Sequence, residues 1–83
     1  MRTNTIQYDA EGRQHGTWEG HWDNGQLRYR LECIHGKKHG PLIEYYPNGN
    51  LWYKETFDMG KRIGYRVEYR LDGSPHKRQF YAK

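Results

Sequence analysis

The stretch His39-Gly40-Pro41-Leu42-Ile43-Glu44-Tyr45-Tyr46-Pro47-Asn48-Gly49-Asn50-Leu51-Trp52-Tyr53-Lys54-Glu55-Thr56-Phe57 decides the fold. Residues 42–46 and 51–57 are two runs rich in aromatic and β-branched side chains, the composition of half-buried strands. Between them stands Asn48-Gly49, a dipeptide that tolerates the positive φ of a hairpin turn. The stretch therefore reads as one β-hairpin, and no part of it shows a helical period.

Working outward, the hairpin repeats. Gly25, Gly49 and Gly73 stand 24 residues apart, as do Gly12, Gly36 and Gly60, and Gly16, Gly40 and Gly64. Nine of the ten glycines fall on these three columns, with Gly20 the exception, so chance is no explanation. Asn24, Asn48 and Asp72 precede the turn glycine. Glu44 aligns with Glu68, Tyr45 with Tyr69, Leu27 with Leu51 and Tyr29 with Tyr53, and Arg30, Lys54 and Arg78 make a basic column. A fixed period of this length is the mark of a stacked repeat architecture.

The expected fold is all-β: an antiparallel meander of about seven strands in a single-layer sheet. Strands are expected at 17–22, 26–33, 41–46, 51–57, 65–70 and 76–81, with Thr5-Ile6-Gln7-Tyr8 as the remnant of an earlier repeat. The chain then forms one domain, residues 1–83, with repeats at about 12–35, 36–59 and 60–83 and a partial repeat at 5–11. Turn length decides which side chains share a face, since a shift of one residue exchanges the faces. The expected arrangement gathers Ile43, Tyr45, Leu51, Tyr53 and Phe57 on one side.

Composition agrees with a thin sheet. Only 34% of the 83 residues are hydrophobic, yet 16% are aromatic, which separates the chain from disordered sequences. The net charge of +4 comes from 14 basic and 10 acidic residues, which favours acidic partners without the basic block of a dedicated nucleic-acid binder. Cys33 is the single cysteine, so no internal disulfide forms and a reducing compartment is expected. No apolar run approaches the length of a transmembrane helix. No apolar segment follows Met1-Arg2-Thr3-Asn4, and the expected location is cytoplasmic.

The segments running from His39 to Leu51 and from Gly60-Lys61-Arg62-Ile63-Gly64-Tyr65-Arg66-Val67-Glu68-Tyr69 resemble the MORN repeat, and more narrowly its bacterial variant. The resemblance covers roughly residues 12–73. It implies one hairpin per repeat, an elongated single-layer sheet and protein–protein contact as the usual role. It also implies a place among bacterial proteins built from this variant, some of which are the antitoxin halves of toxin–antitoxin pairs. Eukaryotic members have been linked to membrane lipids. The repeat brings no catalytic residues and no cofactor. The sequence departs from the pattern at His21-Trp22 in the first copy and at Pro75 in the third.

Other clusters are weighed against plainer readings. Cys33, His35 and His39 lie close together, but a structural zinc site needs four N or S ligands, and histidines decorating a turn explain the same pattern. Ser74, the only serine, lies in a turn, and Cys33 beside His35 lacks the oriented third group that a nucleophile requires. The columns Glu44/Glu68 and Arg30/Lys54/Arg78 read as cross-strand charge pairing on a wet face. Candidate binding residues are Tyr45, Trp52, Tyr53, Tyr69, Arg28, Arg30, Lys54 and Arg78, a mixture that suits a protein interface. The sequence points to a non-catalytic protein that neutralises or scaffolds a protein partner, with a homodimer also expected because the open sheet leaves edges and an aromatic face uncovered. The alternative is an anionic small ligand, a nucleotide or a nucleic acid bound by the same basic and aromatic surface.

Overall fold

Turn chemistry sets the architecture of the computed structural model, which describes residues 7–81. In each Asn-Gly or Asp-Gly turn a three-residue loop closes the hairpin. Gly49 N–H donates to the Tyr46 carbonyl at 2.9 Å and Tyr46 N–H to the Asn50 carbonyl at 2.9 Å, with Gly49 at φ 91°. This is the three-residue hairpin whose last position is left-handed and therefore glycine. The pattern recurs at Trp22–Gly25 and Arg70–Gly73.

Seven strands form one antiparallel sheet, and none of the described residues is helical: β1 (Gly16–His21), β2 (Leu27–Ile34), β3 (Lys37–Lys38), β4 (Gly40–Tyr45), β5 (Leu51–Asp58), β6 (Lys61–Tyr69) and β7 (Pro75–Tyr81). The spatial order is β1-β2-β4-β5-β6-β7, with β3 paired to β2. The slab measures 42 × 39 × 9 Å, a single layer. The expected meander is present. The count of seven is reached differently from the expectation, because β3 and β4 are one strand interrupted at His39. Thr5 and Ile6 lie outside the described residues, and of that segment Tyr8 forms an isolated bridge to Gln14.

Consecutive turns are tied to one another by side chains. Asn24 Oδ1 accepts its own turn's Gln26 N–H at 2.9 Å, while its Nδ2 donates to the Pro47 carbonyl of the next turn at 2.8 Å. Asn48 repeats both bonds, to Asn50 N–H at 2.9 Å and to the Leu71 carbonyl at 3.0 Å. Trp22 Nε1 reaches the Tyr45 carbonyl at 3.1 Å and the Tyr46 hydroxyl the Tyr69 carbonyl at 2.8 Å. At the opposite end of the hairpins His15 Nδ1 accepts His35 N–H and His39 Nδ1 accepts Met59 N–H, each at 3.2 Å. The turn residues His35 and Met59 both take φ 47°.

The core sits on one face. Cys33, Leu42 and Phe57 are buried, and so is Glu55, only 4% exposed. Antiparallel partners point to the same side, so the pairs Glu44 with Tyr53, Leu42 with Glu55 and Gly40 with Phe57 define that face. Glu55 accepts from Arg62 Nε and Arg66 Nη1 at 3.0 Å each. Arg66 also donates to Glu68 at 3.0 Å and lies 4.1 Å over the Tyr53 ring.

The expected grouping of Ile43 with Tyr53 and Phe57 is corrected here. Ile43 pairs with Lys54 and faces the other side, while Tyr45 and Leu51 meet at a register shift beside the turn. The three-residue loop and that bulge, whose presence composition does not reveal, fix the parity of the faces. The expected charge pairing is corrected too: Glu44 and Glu68 share the core face with Tyr53, whereas Arg30 and Lys54 lie on the opposite face.

Two stability predictions follow from these contacts. Twenty-four residues before Glu55 and Arg66 stand Leu31 and Leu42, so the sequence itself shows that an aliphatic pair can replace the ionic one. Arg66→Leu alone leaves the buried Glu55 with Arg62 as its remaining partner and should cost about 2 kcal/mol, the scale of one lost hydrogen bond to a charged group. Glu55→Leu with Arg66→Leu should recover most of that loss in urea unfolding. In the turns, Asn24→Asp removes the donor to Pro47 and should cost about 1 kcal/mol. Asp72→Asn, at a position with no onward acceptor among the described residues, should change stability by less than about 0.5 kcal/mol by the same measurement.

Candidate binding face

Two adjacent rows of paired residues, one on each face, carry the repeated charges. On the core face a row crosses the sheet through Tyr29, Glu44, Tyr53, Glu68 and Lys77, each paired with the next. The Tyr53 hydroxyl donates to Glu44 Oε1 at 2.9 Å. Burial, and then the hydrogen bond and charge of Glu44, push the Tyr53 phenol up to about 12, which keeps it protonated as a donor. Gly20, the first-copy counterpart of these glutamates, pairs with Tyr29, and a Cβ there would meet the Tyr29 ring at 2.3 Å. Glu44, Glu55 and Glu68 all have partners, because Arg28 Nε also lies 3.9 Å from Glu44.

On the opposite face the row immediately alongside reads Glu19, Arg30, Ile43, Lys54, Val67, Arg78, again each paired with the next. The 24-residue basic column is thus a straight line of cations across the sheet, with aliphatic side chains between them. Arg30, Lys54 and Arg78 are exposed, and Ile43 and Val67 are half-buried. Among the described residues Lys54 and Arg78 have no carboxylate partner; the Arg78 guanidinium lies 4.6 Å over the Tyr65 ring. Arg30 faces Glu19 at 3.6 Å. Beside the row, Tyr65 and Phe80 meet edge to face at 5.0 Å and are 49% and 58% exposed. Isolated exposed apolar residues are ordinary, but aromatics next to unpaired cations have the composition of an interface centre.

The eight candidate residues do not converge on one site. Arg30, Lys54 and Arg78 come together on the basic face. Tyr53 is on the core face. Trp52 is packed beside the turn, stacked on Tyr46 at 5.4 Å and edge-on to Tyr53 at 5.5 Å. Arg28 occupies the equivalent place one repeat earlier, 4.6 Å over the Trp22 ring. Tyr45 and Tyr69 are half-buried at the same end, and their carbonyls receive the inter-turn bonds. The sequence reading missed Ile43, Val67, Tyr65 and Phe80 as surface partners of the basic column. The signal for them was the register, which the repeat period alone does not supply.

A cavity of 370 Å³ opens on the core face of the first two repeats, lined among others by Trp18, Tyr29, Leu31, Leu42 and Tyr53. Trp18 Nε1 is enclosed there without an acceptor.

The histidine and cysteine cluster is engaged in structure. Cys33 is buried, and burial raises its thiol against the opposing pull of Lys38, the reverse of an activated nucleophile. His39 serves the Met59 backbone. His35 Nδ1 meets Asp9 Oδ2 at 2.7 Å and stacks on His15 at 4.7 Å. Asp9 also caps Glu11 and Arg13 N–H and accepts from Arg13 Nε, each at 2.9 Å. This arrangement ties the segment before β1 to the turn of the second repeat.

The fold and its turns define a class, the single-layer β-hairpin repeat protein. Within it, residues 14–32 and 38–59 match the family model of the MORN repeat variant, in two stretches that begin 24 residues apart. No curated protein and no solved structure matches the chain. No helix among the described residues is long and apolar enough to cross a membrane.

The Asp9 cluster carries a pH prediction. The His35 hydrogen bond above all, with the backbone and Arg13 bonds, holds the Asp9 carboxyl well below the usual carboxylate range. Its contribution is therefore complete above the unfolded pKa, about 4, and is lost as pH falls below that value. Asp9→Asn should melt earlier than the wild type at pH 7, and the gap between their melting temperatures should narrow steadily from pH 5 to pH 2. A constant gap would show that the carboxylate charge contributes nothing.

Proposed function

We propose that the protein is a non-catalytic binding module that neutralises or scaffolds a protein partner, in the manner of an antitoxin or anti-defence inhibitor, and that it engages the partner through the basic face. The observation behind this reading is one row, in which the exposed cations Arg30, Lys54 and Arg78 stand in line beside the exposed Tyr65 and Phe80. Among the described residues Lys54 and Arg78 have no carboxylate partner, and Arg78 lies over the Tyr65 ring. Charge presented this way steers and orients an acidic partner more than it stabilises the fold. The MORN-variant match at residues 14–32 and 38–59 is consistent with a binding role.

An anionic ligand or nucleic acid is the second reading, and the same free cations motivate it. Salt separates the two, because binding to a polyanion releases counterions and therefore weakens steeply as salt is added.

The experiment is native mass spectrometry of the tagged protein isolated from its own host, wild type beside the triple variant Arg30→Glu, Lys54→Glu, Arg78→Glu. A second polypeptide bound to the wild type and missing from the variant is the expected result. A polypeptide retained by the variant would move the site elsewhere. Loss of a nucleic acid or small anion in its place would favour the second reading.

A further inference from the structure

The basic face has a periodicity as well as a charge, and the period selects the kind of element that fits it. Arg30, Ile43, Lys54, Val67 and Arg78 occupy successive strands β2, β4, β5, β6 and β7 in one unbroken line of paired residues. Adjacent strands lie about 4.8 Å apart, so the cations recur roughly every 9.6 Å, the aliphatic residues fall midway, and the line spans about 19 Å.

An extended strand laid along this line does not match it. Its sheet-facing residues recur roughly every 6.6 Å, out of step with both spacings. An α-helix does match. Seven residues advance it about 10.5 Å and three advance it about 4.5 Å. Positions i, i+3, i+7, i+10 and i+14 share one stripe of a helix, and fourteen residues cover about 21 Å.

We infer that the partner docks an amphipathic α-helix across the strands of the basic face, with acidic residues every seventh position over Arg30, Lys54 and Arg78 and apolar residues between them over Ile43 and Val67. The helix lies perpendicular to the strands on the nearly flat slab. Complementary charge fixes its register, and the aliphatic steps exclude water between the ion pairs. The exposed Tyr65 and Phe80 border the line on the side of β6 and β7 and extend the apolar contact there. This inference rests on the protein-binding reading of the face and adds to it the secondary structure and residue spacing of the partner.

The probes are two synthetic helical peptides of equal composition, one with Glu at i, i+7 and i+14 and Leu at i+3 and i+10, the other with the same Glu residues moved to i, i+5 and i+10. Both are titrated by fluorescence anisotropy into the whole protein at 50 and 150 mM salt. The matched peptide should bind about tenfold more tightly, as three oriented ion pairs allow. Lys54→Glu should abolish that advantage, and a matched peptide with its central Glu changed to Lys should restore binding to Lys54→Glu but not to the wild type. Lys54 is exposed, so circular dichroism and melting of the variant should match the wild type, and Lys54→Gln serves as the neutral control. Equal binding of both peptides, or no rescue by the swapped pair, overturns the helix. It leaves the protein-binding reading intact, because that is judged on whether the host partner depends on the same three cations. Displacement of the matched peptide by a single-stranded oligothymidylate that binds more tightly and with a steeper salt slope overturns both.

Discussion

The staple between consecutive turns is the interaction on which the rest of this structure depends. Asn48 accepts the N–H of its own turn and donates to a carbonyl 23 residues further along, so one side chain both closes a hairpin and sets the next one beside it. Asn24, Trp22 and Tyr46 do the same work, and the histidines at 15 and 39 repeat the device at the other end of the strands. A single-layer sheet has no second layer to hold its strands in register, and a hairpin alone is marginal in water. Fixing both ends of each hairpin to its neighbour supplies that constraint. Identical sequence columns then fall on straight lines across the sheet, and every row discussed above follows from that alignment.

From the same alignment comes the division of labour between the faces. A row of alternating tyrosine and glutamate on one side is drawn together by hydrogen bonds, by Arg66 over the Tyr53 ring and by the buried Glu55. These contacts hold the thin core, and they compensate the acids. The cations of the neighbouring row are left on the opposite surface because pleating sends adjacent residues to opposite sides. The chain therefore presents a line of three cations, Arg30, Lys54 and Arg78, on that surface without carrying an unusual net charge.

Much of this was legible in the sequence, and what was not had a definite cause. The glycine columns and the Asn-Gly dipeptides announce turns through a backbone requirement that few residues meet, so strand number and order could be read directly. Face assignment could not. A three-residue loop alone would pair Ile43 with Tyr53, the expected grouping, but the one-residue shift after Tyr45 and Leu51 inverts the faces. The shift between Lys54 and Thr56, opposite the Gly64 segment, moves the pairing by two residues and so changes the partners while leaving the faces as they were. Bulges leave almost no compositional trace, and each one changes which side chains meet. The basic column itself was visible, whereas its aliphatic partners Ile43 and Val67 come from the other strand of each repeat and enter the line only once register is known.

The turn of the third repeat departs from the first two, and the number of repeats bears on what the basic row can hold. Asp72 keeps the bond to its own turn, to Ser74 N–H at 2.9 Å, but has no amide to offer onward. Arg70 stands where Trp22 and Tyr46 reach forward, and it bends back to the Pro75 carbonyl at 2.7 Å. Ile63 replaces the histidine acceptor. Each substitution preserves the hairpin and lacks the forward-reaching donor or acceptor that the first two copies carry. Because one cation enters the line with each repeat, the number of stapled repeats fixes the number of charges in the row. A docking element is thereby measured by the array: the line from Arg30 to Arg78 spans about 19 Å, and each cation in it sets one position of a complementary stripe.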